Sequence, residues 1–263
     1  MSERKRVLIT GASGNLGSKL SEHLRDRYDL ILLDKDPRGN PNIVQADLSQ
    51  WDPAWVRHFD GVDAVVHLAA NPTAYARWEE LIGPNIDAVI YVFEACARNG
   101  VKRVVYASSN HVMGGYAELQ NPYWLTPDLP PRPGLRYVAG GELRDSTAYG
   151  ACKLFGERVG KCYADMHGLS VIAVRIGWVR KGENRPEDLP PERGPWFRMM
   201  WLSNRDFCQL MERAIEADLS IRFAVVNGMS KNLGSRWDLT STRELLGYEP
   251  QDDVTNIGDV RAT

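Results

Sequence analysis

The sequence predicts an α/β fold, a doubly wound parallel sheet followed by a small C-terminal lobe for substrate. Three observations carry that prediction. Continuous apolar runs alternate with stretches of helical spacing through the first two thirds of the 263-residue chain, the pattern of strands buried on both faces of a parallel sheet. The first run, Val7-Leu8-Ile9, passes straight into the glycine-rich turn Thr10-Gly11-Ala12-Ser13-Gly14-Asn15-Leu16-Gly17. The second, Leu30-Ile31-Leu32-Leu33, ends in a carboxylate, Asp34.

In chain order, the first strand is Val7–Ile9, and the turn leads from it into a helix over Leu16–Arg27. Such a turn aims the first amides of a helix at an anion, and a pyrophosphate is the usual occupant. Gly11, Ser13, Gly14, Asn15, Leu16 and Gly17 are the residues it would bring to that anion. The second strand, Leu30–Leu33, delivers Asp34 to the ribose hydroxyls of an adenosine. A 2'-phosphate there would meet like charge, so NAD is favoured over NADP. Further strands are expected at Ile43–Gln45, Ala64–Leu68, Val104–Ala107 and Val171–Ile176, and helices at Asn85–Asn99 and Thr147–His167. Ligands of such sheets sit at the carboxyl ends of the strands. The glycine turn, Asp34, Ala69-Ala70, Ser108-Ser109 and Arg175-Ile176-Gly177 should therefore converge on one cleft. In Asn85–Asn99, the apolar stripe Ala88, Val89, Val92, Phe93 and Cys96 either pairs with a second copy of the chain or covers the sheet.

Two segments break the alternation. Gly114–Asp145 is rich in proline, glycine and aromatics, and Trp178–Met200 carries four prolines together with Arg180, Lys181, Arg185, Arg193 and Arg198. Long segments at the catalytic end of a sheet serve as substrate lids, with plain surface decoration as the alternative for each. The guanidinium groups suit a carboxylate, phosphate or sulfonate through paired hydrogen bonds. Trp124, Trp178, Trp196 and Trp201 suit stacking on a pyranose or packing of a lid onto the domain. The expected division is a nucleotide-binding domain over 1–177, with a lid insertion near 114–145, and a substrate lobe over 178–263. The tail from about 252 is expected to be poorly ordered.

Several function classes are set aside by composition. A net charge of -2 lacks the basic excess of a nucleic-acid binder. No apolar run of about 18 residues is present to span a membrane. The N-terminal Met1–Arg6 enters the first strand without the apolar core of a signal peptide. Cys96, Cys152, Cys162 and Cys208 lie far apart, which fits reduced thiols in the cytoplasm and no metal site.

The chemistry concentrates on Tyr149 and Lys153, four residues apart and so on one helical face. A phenol titrating near pH ~10 is a poor base at neutral pH. An adjacent ammonium would lower that value, letting the phenolate take a proton from a substrate hydroxyl while hydride leaves the same carbon. Ser108-Ser109-Asn110, at the end of the preceding strand, offers a hydroxyl to hold the substrate oxygen.

With these residues in view, the chain resembles the extended short-chain dehydrogenase/reductases, the NAD-dependent epimerase/dehydratase family, over nearly its whole length. The markers are Thr10–Gly17, Asp34, Ala46-Asp47-Leu48, His67-Leu68-Ala69-Ala70, Asn85 and the Ser/Tyr/Lys set. The resemblance implies a Rossmann fold with NAD as cofactor, and Ser109, Tyr149 and Lys153 as catalytic residues. Ser109 rather than Ser108 takes the active position, counted back from Val112-Met113-Gly114. Asp47 and Leu48 would flank the adenine, while Leu68, Ala69, Ala70, Asn85 and Ile176 would follow the cofactor. Tyr149 and Lys153 would meet its nicotinamide half. A homo-oligomer paired through Asn85–Asn99 and Thr147–His167 is also implied.

The runs Ser108–Gly114, Val174–Gly177, Met199–Ser203 and Leu246–Tyr248 are more similar to uronate dehydrogenases and relatives that oxidise C1 of an acidic sugar. That likeness implies sugar contacts from Asn110, His111 and Arg175. Asn71 is counted with them, and Arg198, just before the Met-Met-Trp run, is preferred as a second anion contact. A packed core imidazole is the lesser alternative for His111, and a structural ion pair for Arg175. The segment between His111 and Tyr149 is longer than in uronate dehydrogenases and nearer to the NAD-dependent sugar-phosphate dehydrogenases. The expected function is oxidation of the anomeric C1 hydroxyl of an acidic aldohexose to its lactone. The sugar is a uronate, or a 6-phospho or 6-sulfo hexose such as glucose 6-phosphate or sulfoquinovose. Two alternatives stand beside it. A sugar-nucleotide epimerase or dehydratase would want a larger C-terminal lobe, and a non-catalytic NAD-sensing protein often lacks the tyrosine or lysine kept here.

Overall fold

The computed structural model describes residues 4–190 and 193–255. β1 (Arg6–Thr10) leads into α1 (Asn15–Leu24), and β2 (Asp29–Asp34) and β3 (Ile43–Gln45) follow. Asp52 caps the short α2 (Pro53–Val56) by accepting from the Ala54 amide at 2.8 Å, ahead of β4 (Ala64–His67). α3 (Trp78–Leu81) widens into a π turn over Ile82–Asp87 and continues as α4 (Ala88–Arg98), so the expected helix Asn85–Asn99 begins inside that turn. Beyond β5 (Arg103–Ser109), the hairpin β6 (Arg136–Ala139) and β7 (Glu142–Asp145) precedes α5 (Thr147–His167) and β8 (Ser170–Ile176). α5 stops at Gly168, whose φ of +71° is the left-handed cap that glycine adopts without strain. α6 (Gly194–Met199), α7 (Asn204–Glu216), β9 (Phe223–Gly228) and α8 (Thr240–Leu246) complete the described chain.

The main sheet has the order β3-β2-β1-β4-β5-β8-β9, and every neighbouring pair in it is parallel. Its register explains why the strands read as unbroken apolar runs. Ile9, Val66, Val105, Ile172 and Ala224 lie in one row, packed with Leu20 and Leu24 of α1 and Leu210 and Met211 of α7. The next row, Leu8, Val65, Val104 and Val171, faces the other way, toward Val92 and Phe93 of α4. Successive residues of one strand thus enter two cores, each fully buried side chain contributing about 1.5–3 kcal/mol. The stripe Ala88, Val89, Val92, Phe93 and Cys96 lies wholly in the second core, so it covers the sheet and presents no face to a partner.

Three features of the fold bear on the expected domain division. Part of the stretch after Gly177 belongs to the main domain and not to the small extra lobe: β9 forms the edge of the central sheet and α7 packs on α1, with Tyr28 just beyond α1 donating to Glu216 at 2.9 Å. The proline-rich insertion is docked, because Arg236 donates to the carbonyls of Pro122 (3.0 Å) and Tyr123 (3.1 Å) and Asn227 to that of Leu125 (2.8 Å). The tail is tied down through Val254: Asp252 accepts from Ser203 at 2.6 Å and pairs with Arg205, and Val254 is buried. The rest of that expectation, beyond 255, lies outside the described residues. Among the described residues, no helix is long and apolar enough to cross a membrane.

Candidate active site

A cleft of about 710 Å³ opens where the strands end, as the sheet topology requires. Its floor is the turn between β1 and α1. Gly11 has a φ of +69°, and a methyl group there would stand 2.8 Å from the Ala69 amide nitrogen. A methyl group on Gly17 would overlap the Gly11 carbonyl oxygen. Only glycine lets the turn, the helix and the end of β4 come this close, which leaves a shallow cradle of backbone amides. Ser13, Gly14, Asn15 and Leu16 line it, with Leu68, Ala69 and Ala70 opposite. The Ser13 amide donates to Asp34 and that of Gly14 to the Gly11 carbonyl, so the start of α1 at Asn15 and Leu16 is the part of this turn that suits a dinucleotide pyrophosphate.

Asp34 sits at the rim of the same cleft with its carboxylate fixed by the amides of Ser13 (2.9 Å) and Asp36 (3.0 Å). Asp47 and Leu48 line the cleft beside it. Asp47 pairs with Lys35 at 2.9 Å and accepts from Ser49 at 2.6 Å, and these two contacts hold its carboxyl below the usual range. Lys35 and Arg38, which sequence reasoning left out, share this rim.

Two asparagines expected to touch ligands do other work. Asn85 Oδ1 accepts from the Asn71 amide at 2.8 Å, and Asn85 Nδ2 donates to the Asn71 carbonyl at 3.2 Å. Asn71 spends its own side chain on Glu80 and Thr73. Neither lines the cleft; their neighbours Ala70, Pro72 and Pro84 do. The pair is a clamp between the loop after β4 and the π turn. Asn85 therefore holds the wall on which Ala70, Pro72 and Pro84 line the cleft.

The chemically distinctive groups meet where β5, β8 and α5 come together. Ser109, Asn110, His111, Tyr149, Lys153 and Ile176 all line the cleft. Asn110 Nδ2 donates to the Ile176 carbonyl at 3.0 Å, tying the ends of β5 and β8. Ser109 Oγ accepts from the His111 amide at 3.2 Å. The His111 ring meets Tyr149 edge-on at 5.6 Å, and its Nδ1 pairs with Ser146 Oγ at 2.8 Å. Ser146 also receives the Leu135 amide, so His111 is connected to the base of the β6–β7 hairpin.

Burial controls protonation here. It pushes the Tyr149 phenol up to about 12, against a smaller lowering from the Ser109 hydroxyl. Lys153 has no part in this shift, contrary to expectation: its ammonium stands 5.8 Å from the centre of the Tyr149 ring and donates instead to the Ala107 carbonyl at 2.8 Å. Burial also brings Lys153 down to about 8, so it keeps most of its charge at neutral pH.

Both buried histidines of this region are held neutral. Burial takes His111 down to about 4, and burial with the nearby Lys153 charge takes His67 to about 3. In the unfolded chain each titrates near pH ~6.5. Between pH ~6.5 and those folded values the unfolded state takes up protons that the native state refuses. Stability should therefore fall on acidification through this window, by at most about 1.4 kcal/mol per pH unit for each histidine. Urea unfolding between pH 6.5 and 5, where carboxylates barely titrate, should show that slope, and His111→Gln should remove about one proton's worth of it. An unchanged slope in the variant would mean that His111 is not the group responsible.

Neither arginine expected to bind the sugar reaches the cleft. Arg175 is a structural ion pair: its Nε and Nη2 donate to Glu157 at 2.8 and 2.9 Å, with both side chains 2% exposed. Arg198 Nη2 instead reaches the Val254 carbonyl at 3.3 Å. The basic and aromatic groups that do line the outer wall are Lys181, Arg193, Tyr137, Trp178 and Phe197. Of the other tryptophans, Trp124 is exposed, Trp201 is buried and bonded to Asn184, and Trp196 packs on Trp237.

Comparison with known proteins finds relatives over nearly the whole chain. The model of the NAD dependent epimerase/dehydratase family matches residues 7–193. The chain is 38% identical over 259 residues to an NAD-dependent glucose-6-phosphate dehydrogenase of Haloferax volcanii, covering 94% of this chain and 93% of that one. It is 35% identical over 263 residues to an L-arabinose 1-dehydrogenase (NAD(P)(+)) of the same organism, covering 96% and 98%. Among solved structures, a mutant uronate dehydrogenase from Agrobacterium tumefaciens complexed with NAD superposes with a TM-score of 0.75. That pair is 32% identical, covering 96% of this chain and 86% of that one.

Proposed function

The chain belongs to the NAD-dependent epimerase/dehydratase family, with NAD as its cofactor, and from that premise we propose that it oxidises the anomeric C1 hydroxyl of an anionic aldohexose to the lactone. The observation that carries the reading is the convergence of Ser109, Tyr149 and Lys153 on the cleft that also holds the glycine turn and Asp34. Similarity at 32–38% identity to sugar dehydrogenases supports the reaction class. The glucose-6-phosphate and uronate enzymes act on sugars with a negative group remote from C1, whereas L-arabinose is neutral. The basic wall formed by Lys181 and Arg193 favours the charged kind.

Bound NAD would supply the hydride acceptor, and the positive charge of its ring would favour the phenolate. Tyr149 must first ionise, its own proton passing to solvent, and as the phenolate its Oη would take the C1 hydroxyl proton while the carbonyl forms. Ser109 Oγ, with one lone pair occupied by the His111 amide, directs its hydrogen to the same oxygen. Lys153 is anchored on Ala107, and its remaining donors suit a ribose hydroxyl. Neutral His111 braces the tyrosine ring without competing for the proton. Positioning and charge account for the protein's share of the catalysis.

The test is a screen for NADH formation with glucose 6-phosphate, glucuronate, galacturonate and sulfoquinovose, each beside its neutral parent sugar. At least one anionic sugar should exceed its parent by about tenfold or more in kcat/KM. Equal rates on glucose would remove the anionic substrate from the proposal.

A further inference from the structure

Arg193 presents an unmet need for an anion. Its Nη1 is buried without a hydrogen-bond partner among the described residues, yet the side chain lines the cleft that holds Tyr149. Two aromatic rings grip the guanidinium, Tyr137 of the β6–β7 hairpin at 4.9 Å and Phe197 of α6 at 5.2 Å. Stacking of this kind fixes the plane of the group and leaves its N–H edge for a ligand. A buried cationic donor left unpaired is costly, and a bidentate oxyanion removes that cost.

Resting on the dehydrogenase reading above, we propose that Arg193 is the residue that recognises the negative group of the sugar, whether carboxylate, phosphate or sulfonate. Its surroundings separate it from the other cations of the cleft. Lys35 and Arg38 stand with Asp34 at the adenosine end. Lys181 belongs to the strap Trp178–Gly182, which is bound down over the glycine turn: Asn15 donates to the Val179 carbonyl at 3.1 Å and Lys19 to that of Gly182 at 2.7 Å. Arg193 is held instead by the two inserts that break the strand–helix alternation. One of them leads back to the reacting end, through Leu135 and Ser146 to His111. A sugar with C1 at Tyr149 and its charged end toward Tyr137 and Phe197 would span these two places.

Replacing Arg193 with leucine tests this. KM for the anionic sugar should rise by roughly 10- to 100-fold with kcat nearly unchanged, while the neutral parent sugar and the directly titrated affinity for NAD stay as in wild type. Arg193→Lys keeps the charge without the planar fork and should recover part of the loss. A parallel loss on neutral and anionic sugars in both variants would make the arginine a structural residue and overturn the proposal. So would a selective loss of NAD affinity, which would assign Arg193 to the pyrophosphate. Wild-type protein that reduces NAD with none of these sugars would overturn the dehydrogenase reading itself, and this assignment with it.

Discussion

Removing one oxygen atom, in Tyr149→Phe, should lower kcat by roughly 10²- to 10⁴-fold, the usual worth of a positioned general base. The ring keeps its edge contact with His111, and Gly150, whose amide accepts no change, still bonds to the Ser146 carbonyl at 2.9 Å, so the start of α5 stays in place. What is lost is the group that takes the proton. Burial drives the phenol up to about 12, which makes it a strong base once a bound positive ring helps it ionise. Dinucleotide affinity should change little, because the glycine turn and Asp34 are untouched. Stopped-flow hydride transfer together with NAD titration checks both halves. Turnover above a tenth of the wild-type value would take Tyr149 out of the reaction.

The second large effect is on stability. Glu157→Ala should cost about 3–5 kcal/mol, because it leaves the guanidinium of Arg175 buried without its counter-charge. Glu157 joins three elements: it sits on α5, it pairs with Arg175 of β8, and it accepts from Ser108 of β5 at 2.6 Å. Ser108 precedes Ser109 and Glu157 lies one turn beyond Lys153, so the pair also sets how the reacting groups face one another. Exchanging both partners for apolar residues of similar size, Glu157→Leu with Arg175→Met, should restore most of the stability, since two buried charges are then removed together. Urea unfolding of the single and double variants measures this. A double variant as unstable as Glu157→Ala would show that the loss comes from packing.

The parts of this structure that sequence made legible are those written in local pattern. α5 occupies Thr147–His167 as its spacing predicts, and the six expected strands are all present in the sheet. The glycine turn and Asp34 meet in the cleft because strand, turn and helix are contiguous in the chain. β9 and α7 escaped notice because they follow an irregular segment that reads as the start of a lobe, although Ser203 caps α7 by accepting from the Asp206 amide at 3.0 Å. The arginines show a different limit. Nothing local to Arg175 reveals that a carboxylate 18 residues earlier will claim it. Asn71 and Asn85 likewise find each other at a separation of 14 residues, with α3 and the first residues of the π turn between them. Arg193 did carry a signal, an aromatic one helical turn away at Phe197, but four other cations crowd the same segment.

The late return of the chain to the sheet bears on how substrate preference in this scaffold can be re-engineered. A chimera joined at Gly177 would import a foreign edge strand and the helix packed on α1 along with any new binding groups. Grafts are better confined to what lies between β8 and α7 and to the hairpin before α5. Those pieces line the cleft without supplying a strand to the seven-stranded framework.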